Sequence, residues 1–85
     1  MPQILIYSKS YCPYCRRAIA LFDKLGQKPE VIDLLDQPEK TSEMISMANG
    51  KTTVPQIFIN GKHIGGCDEA HALYGSGDLQ KLLND

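Results

Sequence analysis

The sequence predicts an α/β fold in which a four-stranded mixed sheet is flanked by helices in the order βαβ-α-ββ-α. Short β-prone apolar segments alternate with segments whose apolar residues recur at helical spacing. A helix separates the first two strands, and such a crossover makes them parallel. Two later strands flank Asn60-Gly61, the preferred dipeptide of a type I′ hairpin turn, and are therefore antiparallel.

The first half of the chain is predicted to hold two strands and two helices. Residues 3–8 are apolar and β-prone, and residues 30–35 resemble them. Residues 13–25 form the helix between these strands, and Gly26 ends it. A second helix is predicted over residues 38–49, with Gly50 directly after it.

The second half is predicted to hold a hairpin and two helices. Its strands are residues 56–59 and 62–65, on either side of the Asn60-Gly61 turn. A helix starts at Cys67 and reaches about Tyr74, and a short last helix covers residues 79–83. The sequence shows no linker or repeat, so residues 1–85 are predicted to form a single domain with one core.

The composition of the chain argues against several classes of protein function. The net charge is −1, so no basic surface indicates nucleic-acid binding. No apolar run is long enough for a signal peptide or a membrane helix. The three cysteines, an odd number, are not typical of a secreted disulfide framework. We therefore expect a monomeric cytoplasmic protein that binds neither membranes nor nucleic acid.

Cys12-Pro13-Tyr14-Cys15 lies directly between the first strand and the first helix. Pro13 suits the first helical position, which puts Cys12 at or beside the N-cap. Free N–H groups and the helix dipole there stabilise a thiolate, so the pKa of Cys12 is expected below the ordinary value of about 8.5. Cys15 lies one turn further on the same face and can form a disulfide with Cys12. This arrangement indicates a redox-active pair of thiols. The alternative is that the two cysteines form a static disulfide or are two inert thiols.

A zinc site would need a second pair of cysteine or histidine ligands, which the sequence lacks. Covalent haem attachment would need a histidine directly after Cys15, and Arg16 stands there. His63 and His71 match no metal spacing and are predicted at the surface. No metal is expected.

Cys12-Pro13-Tyr14-Cys15 resembles the active site of dithiol glutaredoxins. Thr53-Val54-Pro55 and Gly65-Gly66-Cys67-Asp68 resemble the two glutathione-binding segments of that family, and the three motifs occur in the expected order. The element order is that of the thioredoxin-like fold. Thioredoxins themselves usually have Trp before the first cysteine and Gly-Pro between the pair, whereas this chain has Tyr11 and no Trp.

The resemblance implies a cis peptide bond at Val54-Pro55, beside Cys12. The Val54 backbone would then pair with an extended cysteinyl peptide. The alternative is a trans proline that only begins a strand. At the third motif, Asp68 would accept a hydrogen bond from a ligand ammonium, while the N–H groups of Cys67 and Asp68 would bind a carboxylate. The alternative role of Asp68 is ordinary helix capping.

The remaining predicted contacts with glutathione come from both halves of the chain. Lys9 would pair with the glycyl carboxylate and favour the Cys12 thiolate, or else be a solvated surface lysine. Cys67 would be a buried residue whose backbone alone touches the ligand, or else a third redox thiol. The groove would be completed by Tyr14, Thr53 and Gly66, with Gln56 as a further candidate.

The predicted function is that of a glutathione-dependent thiol–disulfide oxidoreductase. Cys12 would attack protein disulfides or glutathionylated protein thiols, and Cys15 would resolve the mixed disulfides formed with the former. Glutathione would be the reducing co-substrate. One alternative is a thioredoxin-like reductase supplied by a flavoprotein. Another is a dimeric carrier of an iron–sulfur cluster that Cys12 and glutathione ligate.

Overall fold

One mixed sheet is built from four strands, which are β1 (Ile4–Ser8), β2 (Glu30–Asp33), β3 (Gln56–Ile59) and β4 (Lys62–Gly65). The computed structural model describes residues 2–84. The strand order is β2-β1-β3-β4, with β1 parallel to β2 and antiparallel to β3, and β3 antiparallel to β4. Asn60 and Gly61 have φ values of 51° and 82°, which are the positive angles that a type I′ turn requires. The predicted fold class is confirmed.

Four α-helices accompany the sheet, and they are α1 (Pro13–Lys24), α2 (Thr41–Met47), α3 (Cys67–Ser76) and α4 (Asp78–Asn84). The prediction of one helix over residues 38–49 is wrong in detail, because Pro38–Lys40 forms a 3₁₀ turn before α2. At the other end, Asn49 takes a φ of 58°, which no helical residue adopts. Within residues 2–84, no helix is both long and apolar enough to cross a membrane.

The predicted second strand, residues 30–35, is also too long. β2 ends at Asp33, since the Leu35 N–H donates to Asp33 Oδ1 at 2.8 Å and the Asp36 N–H donates to the Asp33 carbonyl at 3.1 Å. These bonds form an Asx turn that takes the backbone out of the sheet. The predicted third helix is too short, because α3 continues past Tyr74 to Gly77, whose φ of 86° ends it.

Successive residues of the central strands face opposite sides of the sheet, so the one predicted core is divided into two apolar clusters, one on each side. Ile6 and Ile57 pack with residues of α1, α3 and α4, whereas Tyr7 and Phe58 pack with Met44 of α2. Because β1 is fixed on both faces, its carboxyl end is a rigid support for the segment that leads into Cys12.

Candidate active site

Cys12 lies in the turn that joins β1 to α1. Its N–H donates to the Lys9 carbonyl at 2.9 Å, and its own carbonyl accepts from the Arg16 N–H at 3.2 Å. It is the N-cap residue of α1, with an extended backbone, and Pro13 follows inside the helix, as predicted. The Cys12 side chain is partly exposed, so the thiol is available to a substrate.

Several groups compete to set the acidity of Cys12. Partial burial raises its pKa, but hydrogen bonds from the Cys15 thiol and from the Cys15 and Tyr14 N–H groups outweigh that effect. The Arg16 charge acts in the same direction, and the net result is a pKa below the ordinary thiol value. The sequence assigned the favourable charge to Lys9, whereas Arg16, one turn along α1, is the cation that lowers this pKa.

Cys15 is 1% exposed and contrasts with Cys12. Burial raises the pKa of Cys15 to about 12, and the bond to Cys12 and the Cys12 charge add to the rise. The Lys9 backbone and the Ser8 side chain donate to the sulfur and offset part of it. A protonated Cys15 therefore acts as a donor to the Cys12 sulfur.

The peptide bond between Val54 and Pro55 is cis, which confirms the prediction for this bond. The Val54 carbonyl oxygen lies 3.9 Å from Cys12 Sγ. Val54 is half-buried and Pro55 is buried, immediately before β3. The second motif is thus brought directly against the first, although 42 positions separate Cys12 from Val54.

The start of α3 forms the opposite wall. Gly66 is the N-cap, and its N–H donates to Glu69 Oε1 at 2.6 Å. Asp68 is therefore not the N-cap residue, because Gly66 has that position and Glu69 accepts from its N–H. The Asp68 side chain is exposed. A Cβ added to Gly65, whose φ is +122°, would lie 2.7 Å from Glu69 Oε1, so only glycine fits there.

Cys67 is buried at the same helix start, 7% exposed. Burial raises the pKa of its thiol, and the negative charge of Asp68 raises it further. The ring of His71 donates from Nδ1 to the Cys67 carbonyl at 2.9 Å. These surroundings favour the interpretation that Cys67 contributes its backbone, and they disfavour an activated third thiol.

A cleft of about 160 Å³ lies between these segments. It is lined by Tyr14, Thr53, Val54, Pro55, Gly66, Cys67, Asp68 and Glu69. Of the residues predicted to contact glutathione, Lys9 and the further candidate Gln56 are not in this lining. The ligand contact of Lys9 stays a prediction. Cys12 adjoins the cleft through its contact with Val54.

Sequence reasoning missed two residues of this site and misplaced a third. Glu69 could have been found, because it stands three residues after a helix N-cap, the spacing of a capping box. Arg16 could have been found from its position four residues after Cys12. Gln56 does not line the cleft, since its side chain is buried and bonded to Thr53.

No group of three or more His, Cys, Asp or Glu side chains in the described part of the chain is arranged to hold a metal ion. The three cysteines are free thiols. The chemistry that the arrangement supports is nucleophilic attack by an activated sulfur, with a second sulfur in contact with it.

Comparisons with known proteins agree on one family. A family model described as Glutaredoxin matches residues 4–64. Glutaredoxin 3 of Escherichia coli K12 is 46% identical over 83 residues, which cover 98% of this chain and 99% of that protein. Glutaredoxin-C4 of Arabidopsis thaliana is 47% identical over 83 residues, or 95% of this chain, but the chain spans only 62% of that relative's length.

Solved structures give the same result. The crystal structure of a buckwheat glutaredoxin–glutathione complex superimposes with a TM-score of 0.88 at 37% sequence identity. The match covers 98% of this chain and 77% of the buckwheat chain.

Proposed function

The chain belongs to the glutaredoxin family, and from this premise we propose that it reduces glutathionylated protein thiols and protein disulfides through Cys12 and Cys15, with glutathione as reductant. The observation that carries the proposal is the unequal exposure of the two thiols, since Cys12 is partly exposed at the start of α1 whereas Cys15 is 1% exposed. The pKa of Cys12 is lowered, that of Cys15 is raised to about 12, and the Cys15 thiol donates to the Cys12 sulfur. This inequality supports attack by Cys12 and resolution by Cys15.

With a glutathionylated protein, the Cys12 thiolate attacks the glutathione sulfur. The S–S bond breaks, the protein thiolate leaves and takes up a proton, and Cys12 holds glutathione in a mixed disulfide. A second glutathione thiolate attacks the glutathione sulfur of that disulfide. Glutathione disulfide leaves and the Cys12 thiolate is restored, so two glutathione molecules supply the two electrons.

With a protein disulfide, Cys12 attacks one sulfur and releases the other as a thiol. The mixed disulfide has no charge on Cys12, so the charge effect that raises the pKa of Cys15 is removed. Cys15 then gives up its proton and attacks the Cys12 sulfur. The bond between Cys12 and the protein sulfur breaks, the protein thiolate leaves and takes up a proton, and the Cys12–Cys15 disulfide remains. Two glutathione molecules reduce this disulfide in successive exchange steps.

Glutathione recognition is proposed for the α3 side of the cleft. The N–H groups of Cys67 and Asp68 are at the positive end of a ten-residue helix, which suits the γ-glutamyl carboxylate. The exposed Asp68 carboxylate suits the neighbouring ammonium. The similarity to the buckwheat protein, solved as a glutathione complex, supports glutathione as the ligand. Lys9 is proposed for the glycyl carboxylate, and a cytoplasmic location is proposed from the three free cysteines.

A glutathione-coupled turnover assay tests the function. The reduced protein is given a glutathionylated peptide with glutathione, glutathione reductase and NADPH, and NADPH consumption is followed. We expect turnover that depends on glutathione. Activity with a flavoprotein thioredoxin reductase but none with glutathione would contradict the proposal, and visible absorbance of the isolated protein would indicate a cluster carrier.

A further inference from the structure

A series of side-chain hydrogen bonds connects the protein surface to the Thr53 end of the cleft. Its central member is Gln56 at the start of β3, an amide that is 2% exposed. Gln56 Nε2 donates to the Thr53 carbonyl at 2.9 Å and to the Thr53 hydroxyl at 3.2 Å. Since the amide nitrogen donates to Thr53, Gln56 Oε1 faces the other way and needs a donor of its own.

His63 on β4 supplies that donor. Its Nε2 lies 2.7 Å from Gln56 Oε1, which can only accept, so Nε2 carries the hydrogen. On the other side of the ring, Nδ1 lies 3.4 Å from Asn49 Nδ2 and accepts from it. The ring also packs on Phe58, with 5.1 Å between ring centroids. The neutral Nε2–H tautomer satisfies all of these contacts.

We propose that His63 is a positioning residue for the cleft, which acts by orienting the Gln56 amide and thereby fixing Thr53 and Val54 beside Cys12. The inference rests on the proposed function, and it assigns a role to a residue outside the cleft. Thr53 lies in no strand or helix, so its backbone depends on bonds of this kind. Without the His63 donor, the Gln56 amide loses the bond that holds its oxygen in the present orientation. In the reversed orientation, Gln56 Oε1 would lie against the Thr53 carbonyl, so that two acceptors would face each other.

The effect should appear in substrate binding and leave thiol activation unchanged. Thr53 and Val54 line the cleft, and the Val54 carbonyl is 3.9 Å from Cys12 Sγ. In contrast, the groups that lower the pKa of Cys12 are all within residues 14–16 of α1. Loss of the His63 bond therefore displaces the wall that receives the substrate but leaves the surroundings of the thiolate as they are.

Three variants separate these effects. His63→Phe keeps a ring against Phe58 and removes the donor. His63→Gln keeps an amide donor near the position of Nε2. Asn49→Gly removes only the outer bond, and glycine accepts the φ of 58° at this position. For each variant, kcat and KM for a glutathionylated peptide, the rate of Cys12 alkylation by iodoacetamide at pH 6, and Tm are measured.

We expect His63→Phe to raise KM at least about five-fold, because a buried acceptor loses its partner. His63→Gln and Asn49→Gly should stay within about two-fold of the wild type, since the bond to Gln56 is kept in both. The alkylation rate should be unchanged in all three. If His63→Phe does not fold, His63→Asn replaces it, because its shorter amide reaches the Nδ1 position but not that of Nε2.

Three results would overturn the inference. They are an unchanged KM in His63→Phe, an equal loss in His63→Phe and His63→Gln, and a fall in the alkylation rate that matches the rise in KM. An unreactive wild type would instead contradict the proposed function. In that case the ¹⁵N spectrum of the His63 ring decides the inference, because a neutral Nδ1–H tautomer would exclude the bond to Gln56.

Discussion

The two helices that border the cleft begin in opposite ways. The first turn of α1 has no acidic residue, and its N-cap side chain is the Cys12 thiol. The first turn of α3 carries Asp68 and Glu69, and its N-cap is Gly66, which has no side chain. Both helix starts offer N–H groups to the cleft, but only α3 adds negative charge.

This difference suits two kinds of anion. At α1, the N–H groups and Arg16 stabilise a thiolate that belongs to the protein. Under the proposed function, the N–H groups at α3 would bind the carboxylate of an external ligand, and Asp68 would bind the ammonium group of the same ligand. A helix start without carboxylates therefore activates a nucleophile, whereas one with carboxylates is suited to a zwitterionic ligand.

Removing either thiol of the α1 side should give the largest effects. Cys12→Ser should abolish turnover of glutathionylated peptides and of protein disulfides, because no other lowered-pKa thiol is present among the described cysteines. Cys15→Ser should keep the first activity and lose most of the second, since only an internal thiol releases a protein trapped on Cys12. Turnover of both substrates by each variant is measured, and activity in Cys12→Ser would contradict the assignment.

At α3, loss of the charge on Asp68 should have the next largest effect. Asp68→Asn removes a charged hydrogen bond of about 1.5–3 kcal/mol, so kcat/KM for a glutathionylated peptide should fall about ten-fold or more. Asp78→Asn, at the start of α4, is the matched control and should leave kcat/KM unchanged. Unchanged kinetics in Asp68→Asn would show that α3 binds its ligand without this carboxylate.

The pH dependence of alkylation tests the activation at α1. A lowered pKa moves the thiolate transition of Cys12 below the ordinary thiol value of about 8.5, so iodoacetamide should react with Cys12 rapidly even at pH 6. Cys15, with a pKa of about 12, should stay unlabelled. A rate that rises only near pH 8.5 would contradict activation of Cys12.

A pair of charge variants sharpens this test. Arg16→Gln should slow alkylation at pH 6 by about two- to five-fold, as expected for an exposed charge. Lys9→Gln should change it less, because Lys9 is not among the groups that lower the pKa of Cys12. The reverse order would restore the role that the sequence assigned to Lys9.

Glu69 should show the smallest effect on activity and a clear one on stability. Glu69→Ala removes the acceptor of the Gly66 N–H, which should lower the free energy of unfolding by about 1 kcal/mol. Glu69→Gln keeps an acceptor and should lower it less. Thermal unfolding measures both. A loss of activity as large as that in Asp68→Asn would mean that Glu69 also contacts the ligand.

Local chemistry explains which features the sequence predicts. The hairpin follows from Asn60-Gly61, and the placement of Cys12 at a helix start follows from Pro13, because each depends on neighbouring residues alone. The cleft lining was predictable only because the motifs resemble a family. No local pattern indicates that residues so far apart in sequence would meet.

Features that depend on tertiary partners could not be read from the sequence. The inward orientation of Gln56 depends on His63, which lies on a different strand. The end of α2 depends on the positive φ of Asn49, a conformation that this residue type permits but does not require. The choice of Arg16 over Lys9 as the cation that lowers the pKa of Cys12 depends on the folded positions of two long side chains.

Because Cys15 is buried in contact with Cys12, it also determines which product forms when a peroxide oxidises the site. An oxidant reaches Cys12 first, because it is the partly exposed and more acidic thiol, and converts it to a sulfenic acid. Cys15, already in contact, condenses with that sulfenic acid, so that water leaves and a disulfide forms. We therefore expect oxidation to stop at a form that reductants can reverse, before the sulfinic acid is reached.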